Sequence, residues 1–125
     1  MRFYCDLLGF AKRDELEVDG PLPSQLLGLP GVDLRAIYLE RDGMVIELLH
    51  FRAPATEGGV PARPFNVAGF THLSMQAEDP AVALADFRAA GVRIDEESVL
   101  KIGDSVVAFF CLDPDGQRVE ITAAR

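Results

Sequence analysis

Apolar and polar residues alternate in some segments of this chain and recur at helical spacing in others. Residues 70–76 alternate apolar and polar side chains, which is typical of a half-buried strand. After this strand, Asp79 can cap a helix, Pro80 suits its first position, and Gly91 can end it. Apolar side chains at helical spacing near the N-terminus predict an earlier helix that ends at Gly9. The chain therefore combines helices with strands.

The chain also contains an internal repeat. Residues 36–48 match residues 109–121 without a gap, and Glu47 corresponds to Glu120. In each copy two apolar runs flank an Asp-Gly pair, which tolerates the positive φ angles of a tight hairpin. Each copy is therefore predicted to form two antiparallel strands, with a glutamate in the second strand.

The order of elements predicts an α+β fold in a single domain made of two modules. The second copy reads as strand, helix and three strands, and the first shows the same order from its helix onwards, so its first strand would lie before Met1. The first copy has extra residues between helix and hairpin, and the Gly- and Pro-bearing residues 19–31 are interpreted as a loop. We assign module one to residues 1–52, a linker to 53–68 and module two to 69–125.

Composition narrows the classes of partner. Hydrophobic residues make up 49% of the chain and charged residues 26%, as in folded globular proteins. Acidic side chains outnumber basic ones by 20 to 12, and the net charge of −8 disfavours nucleic acid and anionic membranes as partners. No apolar run approaches a membrane span and no signal-peptide pattern is present. Cys5 and Cys111 form no CxxC pair, so we expect two buried thiols and a cytoplasmic location.

Two strands of the second copy present polar faces. Because strand side chains alternate, His72, Ser74 and Gln76 share one face. Arg118 and Glu120 likewise share a face of the last strand, opposite an apolar one. Imidazole and carboxylate together suit Zn²⁺, Ni²⁺, Co²⁺, Mn²⁺ or Fe²⁺. From the pattern alone, a solvent-facing polar strand and a pair of metal ligands both remain open.

Glu47 is a candidate because its strand face is otherwise apolar. It would share that face with Val45, Leu49 and Phe51, where an ionised carboxylate is costly unless it is paired, metal-bound or protonated. Alternatively, this face points to solvent and the opposite face forms the core. Without a metal, Glu47 could still serve as a general base. His50 lies on the opposite face, so we interpret it as an exterior or interface residue.

Four segments carry a resemblance to a known family: residues 2–10, 42–49, 69–73 and 113–121. In this order they resemble the vicinal oxygen chelate superfamily, also called the glyoxalase/bleomycin resistance/dioxygenase family. The resemblance implies two βαβββ modules that form a half-open barrel around a divalent metal, with the first module lacking its N-terminal strand. It also implies a small-molecule substrate and a homodimer.

The resemblance further implies a set of site residues. In metal-dependent members, ligands come from the first and last strands of each module, which here gives His72, Glu120 and Glu47 as metal ligands. The fourth ligand position would fall before Met1. Gln76 and Arg118 are candidates for contact with an anionic substrate, with an exposed salt bridge as the alternative for Arg118.

Two carboxylates beside one histidine resemble the glyoxalase and epimerase branch of this family. There, one glutamate can leave the metal and move a proton, which implies catalytic roles for Glu47 and Glu120. An extradiol dioxygenase would need two histidines and one carboxylate. We therefore expect a metal-dependent lyase or isomerase of the glyoxalase type. The alternatives are a metal-free ligand-binding protein similar to bleomycin resistance proteins, and an extradiol-type dioxygenase.

Overall fold

The fold is described from a computed structural model that covers residues 1–58 and 63–124. The chain divides into two compact units, Met1–Gly58 and Gly59–Arg125. Each unit contains one β-sheet and short helical segments, so the predicted α+β class is confirmed. No helix formed by the described residues has the length and apolar character needed to cross a bilayer. The predicted linker falls partly on residues 59–62, outside the described residues, and the division into modules stays a prediction.

The first unit holds a three-stranded antiparallel sheet in the order β1-β2-β3. Its elements are a π-helical segment (Phe3–Leu7), β1 (Ala11–Asp19), α1 (Pro21–Leu27), β2 (Asp33–Arg41) and β3 (Met44–Ala53). The predicted N-terminal helix is thus present but short, and Gly9 follows it with a φ of 70°. Asp42 and Gly43, with φ angles of 52° and 78°, form the predicted tight turn between β2 and β3.

The segment of residues 19–31 differs from its prediction as a loop, because it contains α1. Pro21 stands at the first position of this helix, and Gly28 ends it in the left-handed conformation, with a φ of 65°. Ser24 Oγ accepts a hydrogen bond from the backbone N–H of Val32 (2.9 Å), which ties α1 to the segment that enters β2. The loop prediction was wrong because proline and glycine, which are common in loops, here mark the two ends of a helix.

The second unit has the predicted βαβββ order. Its elements are β4 (Leu73–Ala77), α2 (Pro80–Ala89), β5 (Arg93–Ile102), β6 (Ser105–Leu112) and β7 (Arg118–Ala123). The sheet order is β4-β7-β6-β5, with β4 parallel to β7 and the remaining pairs antiparallel. The strand predicted over residues 70–76 begins only at Leu73, so His72 immediately precedes β4.

Helix α2 forms where its end signals predict it. Asp79 accepts hydrogen bonds from two backbone N–H groups of the first turn (2.8 and 3.2 Å), and Gly91 follows the helix with a φ of 75°. Leu84 and Phe87 are buried, and the Phe87 ring contacts Phe109 of β6 edge-on at 6.0 Å between centroids. The helix therefore covers the face of the sheet to which Phe109 belongs.

The two cysteines lie in different surroundings. Cys111 is fully buried in β6, and burial raises the pKa of its thiol to about 12. Cys5 is only half-buried, so the expectation of two buried thiols is wrong for this residue. It lies in the π-helical segment, whose buried residues are Phe3 and Tyr4.

The connection between β6 and β7 is longer than the two-residue turn of the first unit. Buried Asp113 organises it, because its Oδ1 accepts hydrogen bonds from the N–H groups of Asp115 (2.9 Å) and Gln117 (2.7 Å). The Asp113 N–H also donates to the Gln117 carbonyl (2.9 Å). This loop therefore fixes the point at which β7 begins to pair with β6.

The longer loop changes the pairing partner of the repeated glutamate. Glu47 lies opposite Tyr38, which corresponds to Cys111 in the repeat. Glu120, however, lies opposite Phe110 rather than Cys111. The two copies therefore differ by one residue in register, which a gapless match in sequence does not reveal.

We predict that Asp113→Ala lowers the free energy of unfolding by about 1–3 kcal/mol, because two backbone N–H groups lose their acceptor. Urea denaturation measures this loss. Asp113→Asn is the matched control, since it keeps a side-chain oxygen at the same position and should lose clearly less. Equal unfolding midpoints for the alanine variant and the parent protein would contradict this account of the loop.

Candidate functional site

The second unit brings a serine and a glutamate together through the pairing of β4 with β7. Ser74 lies directly opposite Glu120 in this parallel pair. The Ser74 hydroxyl donates a hydrogen bond to Glu120 Oε2 (2.7 Å). The carboxylate is thereby held on the polar face that side-chain alternation predicts.

His72 completes this cluster. Its Nε2 lies 3.7 Å from Glu120 Oε2, and the two side chains are 27% and 30% exposed. The other ring nitrogen, Nδ1, forms a hydrogen bond with Thr71 Oγ1 (2.8 Å), in which the donor depends on the tautomer. The sequence-predicted pair His72 and Glu120 is therefore brought together in one partly exposed place.

Aromatic rings hold the imidazole of His72. Phe65 and Phe110 approach it edge-on, with ring centroids at 5.5 and 5.3 Å, and lie 5.0 Å from each other. Such edge-to-face contacts favour one ring orientation. Sequence reasoning missed both phenylalanines, because Phe65 lies in the predicted linker and Phe110 in a strand whose register was unknown.

Arg118 contacts the segment that precedes β4. Its Nη1 donates a hydrogen bond to the Arg63 carbonyl, and its guanidinium lies 4.4 Å from the centroid of the Phe65 ring. Among the described residues Arg118 forms no ion pair, so the predicted alternative of an exposed salt bridge is not found there. Gln76 is exposed and lies two residues beyond Ser74, on the same face of β4.

In the second unit, the candidate metal ligands are one imidazole nitrogen and one carboxylate oxygen. In neither unit do the described residues bring three His, Cys, Asp or Glu side chains into a group that could hold a metal. His72 and Glu120 still offer an imidazole nitrogen and a carboxylate oxygen, a donor set that fits a divalent transition metal.

In the first unit, Glu47 is paired with a tyrosine. Tyr38 lies opposite it on β2, and the Tyr38 hydroxyl donates a hydrogen bond to Glu47 Oε1 (2.7 Å). This hydrogen bond is the main reason why the pKa of Tyr38 is raised above the usual value of a tyrosine. Pairing is one of the conditions under which a carboxylate is tolerated on an apolar face. Tyr38 was not singled out from sequence, because its relation to Glu47 depends on strand pairing.

Glu47 lines a pocket of about 400 Å³ within the first unit. The other lining residues come from β1, α1, β2 and β3: Val18, Leu22, Pro23, Leu26, Leu27, Leu34, Ala36, Tyr38 and Leu49. Leu34 and Ala36 of β2 are buried on this face, but Glu47 is exposed, and Val45 and Leu49 beside it are each 44% exposed. Around Glu47 the face is therefore open to solvent, as the alternative stated from the sequence expects. His50 is exposed on the opposite face of β3, as alternation predicts.

Solved structures share this fold. The chain is similar to a glyoxalase family protein from Bacillus cereus, with a TM-score of 0.75 and 17% identity over 94% of this chain and 80% of that one. It is similar to Leishmania major glyoxalase I, with a TM-score of 0.68 and 21% identity over 98% and 74%. The fosfomycin resistance protein FosX from Listeria monocytogenes gives a TM-score of 0.60 and 14% identity over 98% and 78%. Among curated proteins, none matches the chain in sequence.

Residues 1–121 match a single family profile, described as the Glyoxalase/Bleomycin resistance protein/Dioxygenase superfamily. The match covers most of the first unit and of the second, including the strands that carry Glu47 and Glu120 and the segment that carries His72. It agrees with the fold shared with the glyoxalase proteins of known structure. The chain belongs to the Glyoxalase/Bleomycin resistance protein/Dioxygenase superfamily.

Proposed function

We propose that this protein is a divalent-metal-dependent lyase or isomerase of the glyoxalase type, acting on a small substrate with two neighbouring oxygens. The observation that carries the proposal is the approach of His72 Nε2 to Glu120 Oε2, at 3.7 Å. Imidazole nitrogen and carboxylate oxygen are ligands that Zn²⁺, Ni²⁺, Co²⁺, Mn²⁺ and Fe²⁺ accept. A divalent ion bound there would polarise the substrate oxygens and stabilise negative charge on them.

The hydrogen bonds around this pair support the role of metal ligands. With its proton on Nδ1 and donated to Thr71 Oγ1, His72 keeps the lone pair of Nε2 for a ligand. Ser74 orients the Glu120 carboxylate by donating to Oε2. Outer hydrogen bonds of this kind fix the orientation of ligands at metal centres.

Glu47 is the proposed third ligand and proton carrier. Because Tyr38 donates to Oε1, the second oxygen, Oε2, is available to accept a proton. In the isomerisation, Glu47 takes the proton from the carbon beside one substrate oxygen and returns it to the adjacent carbon. One C–H bond breaks and another forms, and the hydroxyl proton moves from the first substrate oxygen to the second as the C–OH and C=O groups exchange places. The reaction therefore needs no oxidant or reductant. Glu120 is the second proposed catalytic carboxylate.

Further parts of the proposal concern substrate contact and assembly. Gln76 and Arg118 share a face with Ser74 and Glu120, respectively, and are proposed to contact an anionic part of the substrate. The protein is proposed to act as a homodimer, as the family implies. A cytoplasmic location is supported by two cysteines that form no disulfide.

We predict that protein purified without chelator contains bound divalent metal, and that Glu120→Ala loses it, because a carboxylate ligand is removed. Elemental analysis of both samples measures the metal content. Glu97→Ala, at an exposed glutamate of β5, is the matched control and should keep the metal. Metal content near zero in the parent protein would contradict the proposal and favour a metal-free ligand-binding protein.

We predict that Ser74→Ala weakens metal binding by about 10- to 100-fold, because Glu120 loses the hydrogen bond that orients it. Titration with the metal against a competing chelator measures the change. Ser74→Thr keeps the hydroxyl and should retain most of the affinity. If alanine and threonine bind the metal equally, the hydroxyl has no part in the site.

We predict that Glu47→Gln lowers kcat by about 10²- to 10⁴-fold, because the amide cannot carry the proton. The assay follows isomerisation of hemithioacetals formed from 2-oxoaldehydes and thiols, and elemental analysis of the same sample reports the metal. Glu57→Gln, at an exposed glutamate outside the strands, is the control. An unchanged kcat for Glu47→Gln would remove this residue from the reaction.

A further inference from the structure

We infer that Arg118 and Phe65 are positioning residues for the imidazole of His72. Arg118 fixes residues 63–70, which we call the Phe65 loop, and the ring of Phe65 in turn fixes the imidazole. The inference rests on the proposed function, in which His72 is a metal ligand, and it gives Arg118 a role besides substrate contact. All the groups involved belong to the second unit.

The Phe65 loop is held together by its first residue. The Arg63 guanidinium donates hydrogen bonds to the carbonyl groups of Ala68 and Phe70, near the other end of the loop. Gly69 has a φ of 129°, a conformation that favours glycine. A Cβ at this position would lie 2.8 Å from Arg63 Nη1, so the glycine also leaves room for the guanidinium. The loop therefore has a defined conformation of its own.

Arg118 attaches the Phe65 loop to β7 at two points. Its Nη1 donates a hydrogen bond to the Arg63 carbonyl, and its guanidinium lies 4.4 Å from the centroid of the Phe65 ring. A guanidinium at this distance from an aromatic ring is attracted to it. Arg118 therefore holds both the backbone of the loop and the ring that reaches His72.

The direction taken by Arg118 also leaves Glu120 available to a metal. The two residues lie two positions apart on the same face of β7. Among the residues that the structure describes, Arg118 forms no ion pair with Glu120, whose carboxylate contacts Ser74 and His72. A guanidinium bound to these oxygens would compete with a divalent cation for them. The contact of Arg118 with the loop avoids this competition.

Two aromatic rings contact the imidazole of His72 edge-on, and only one of them is fixed by the sheet. The rings of Phe65 and Phe110 make interplanar angles of 76° and 85° with the imidazole. Phe110 belongs to β6, whereas Phe65 has its place only through the loop. His72 itself lies outside β4, so the orientation of its ring depends on these contacts and on the hydrogen bond with Thr71. The Phe65 loop therefore contributes to the direction in which Nε2 points.

Electrostatics alone predicts the opposite effect of removing Arg118. A positive charge near a cation site repels the cation, so its loss strengthens metal binding. Loss of a group that orients a ligand instead weakens metal binding, by about 10- to 100-fold. The sign of the change in metal affinity of Arg118→Gln therefore tests the positioning role. Because Arg118 is half-buried and Phe65 is 49% exposed, we expect their variants to fold.

The first experiment measures metal affinity by titration against a competing chelator, without substrate. We expect binding about tenfold weaker in Arg118→Gln and in Phe65→Leu. The double variant should lose about as much as either single variant, because both changes release the same ring. Phe65→Tyr keeps an aromatic ring and should retain the parent affinity. Phe70→Leu changes a ring of the same loop that is 75% exposed, and it should bind as the parent does.

Two results of this titration would overturn the inference. The first is equal or tighter metal binding in Arg118→Gln, since the arginine would then act only through its charge or not at all. The second is a double variant in which the two losses multiply, since Arg118 and Phe65 would then act independently.

The second experiment uses NMR spectra of chelator-treated protein. The sequence contains two histidines, so His50→Gln identifies the imidazole signals that belong to His72. Phe65→Leu should shift the His72 signals, because a neighbouring ring is lost. Arg118→Gln keeps every ring, so a shift of the same signals in the same direction shows that Phe65 has moved away. Unchanged His72 signals in Arg118→Gln, or a shift in the opposite direction, would overturn the inference.

These two experiments separate the inference from the proposed function. If the parent protein binds no divalent metal, the proposed function fails, while the NMR spectra still decide whether Arg118 and Phe65 position His72. If the parent protein binds metal and Arg118→Gln binds it equally well, the metal site stands and the inference is overturned.

Discussion

The parallel pairing of β4 with β7 is the constraint on which the polar cluster of the second unit depends. It places Ser74 directly opposite Glu120 and leaves His72 two residues earlier, at 3.7 Å from the same carboxylate oxygen. Because strand side chains alternate, a slip of one residue would turn Ser74 away and present Leu73 to the carboxylate. The hydrogen bond from Ser74 to Glu120 and the approach of His72 to the same carboxylate therefore both depend on the register of β4 with β7.

In the two copies of the repeat, the repeated glutamate accepts a hydrogen bond from a hydroxyl group, but the hydroxyl group belongs to a different neighbouring strand in each copy. Each copy carries a glutamate in its last strand, and each carboxylate accepts a hydrogen bond from a hydroxyl group. For Glu47 the hydroxyl belongs to Tyr38 on the antiparallel neighbour β2, whereas for Glu120 it belongs to Ser74 on the parallel neighbour β4. The longer loop before β7 shifts its register, so Phe110 rather than Cys111 faces Glu120. The repeated glutamate thus accepts its hydrogen bond from the strand that precedes it in the hairpin in the first unit, and from the parallel strand on its other edge in the second unit.

Sequence reasoning succeeded where the signal is local and failed where it depends on pairing. The hairpin at Asp42 and the cap at Asp79 could be predicted, since each rests on the conformation or hydrogen bonds of a few consecutive residues. Helix α1 was not predicted because proline and glycine are common both in loops and at the two ends of a helix, so their presence alone does not distinguish the two. Tyr38 and Phe65 could not be predicted as neighbours of Glu47 and His72, because their contacts require a register or a folded-back segment.

The extra residues of the first copy explain why the two carboxylate faces are covered differently. In the second unit, α2 packs on the Phe109 side of the sheet, and the face that carries Glu120 is contacted by the segment around Phe65. In the first unit, the inserted helix α1 lies over the face that carries Glu47. Glu47 itself is exposed on this face, and Val45 and Leu49 beside it are each 44% exposed. The insertion that breaks the symmetry of the repeat thus places apolar side chains of α1 on the sheet face that carries the exposed Glu47.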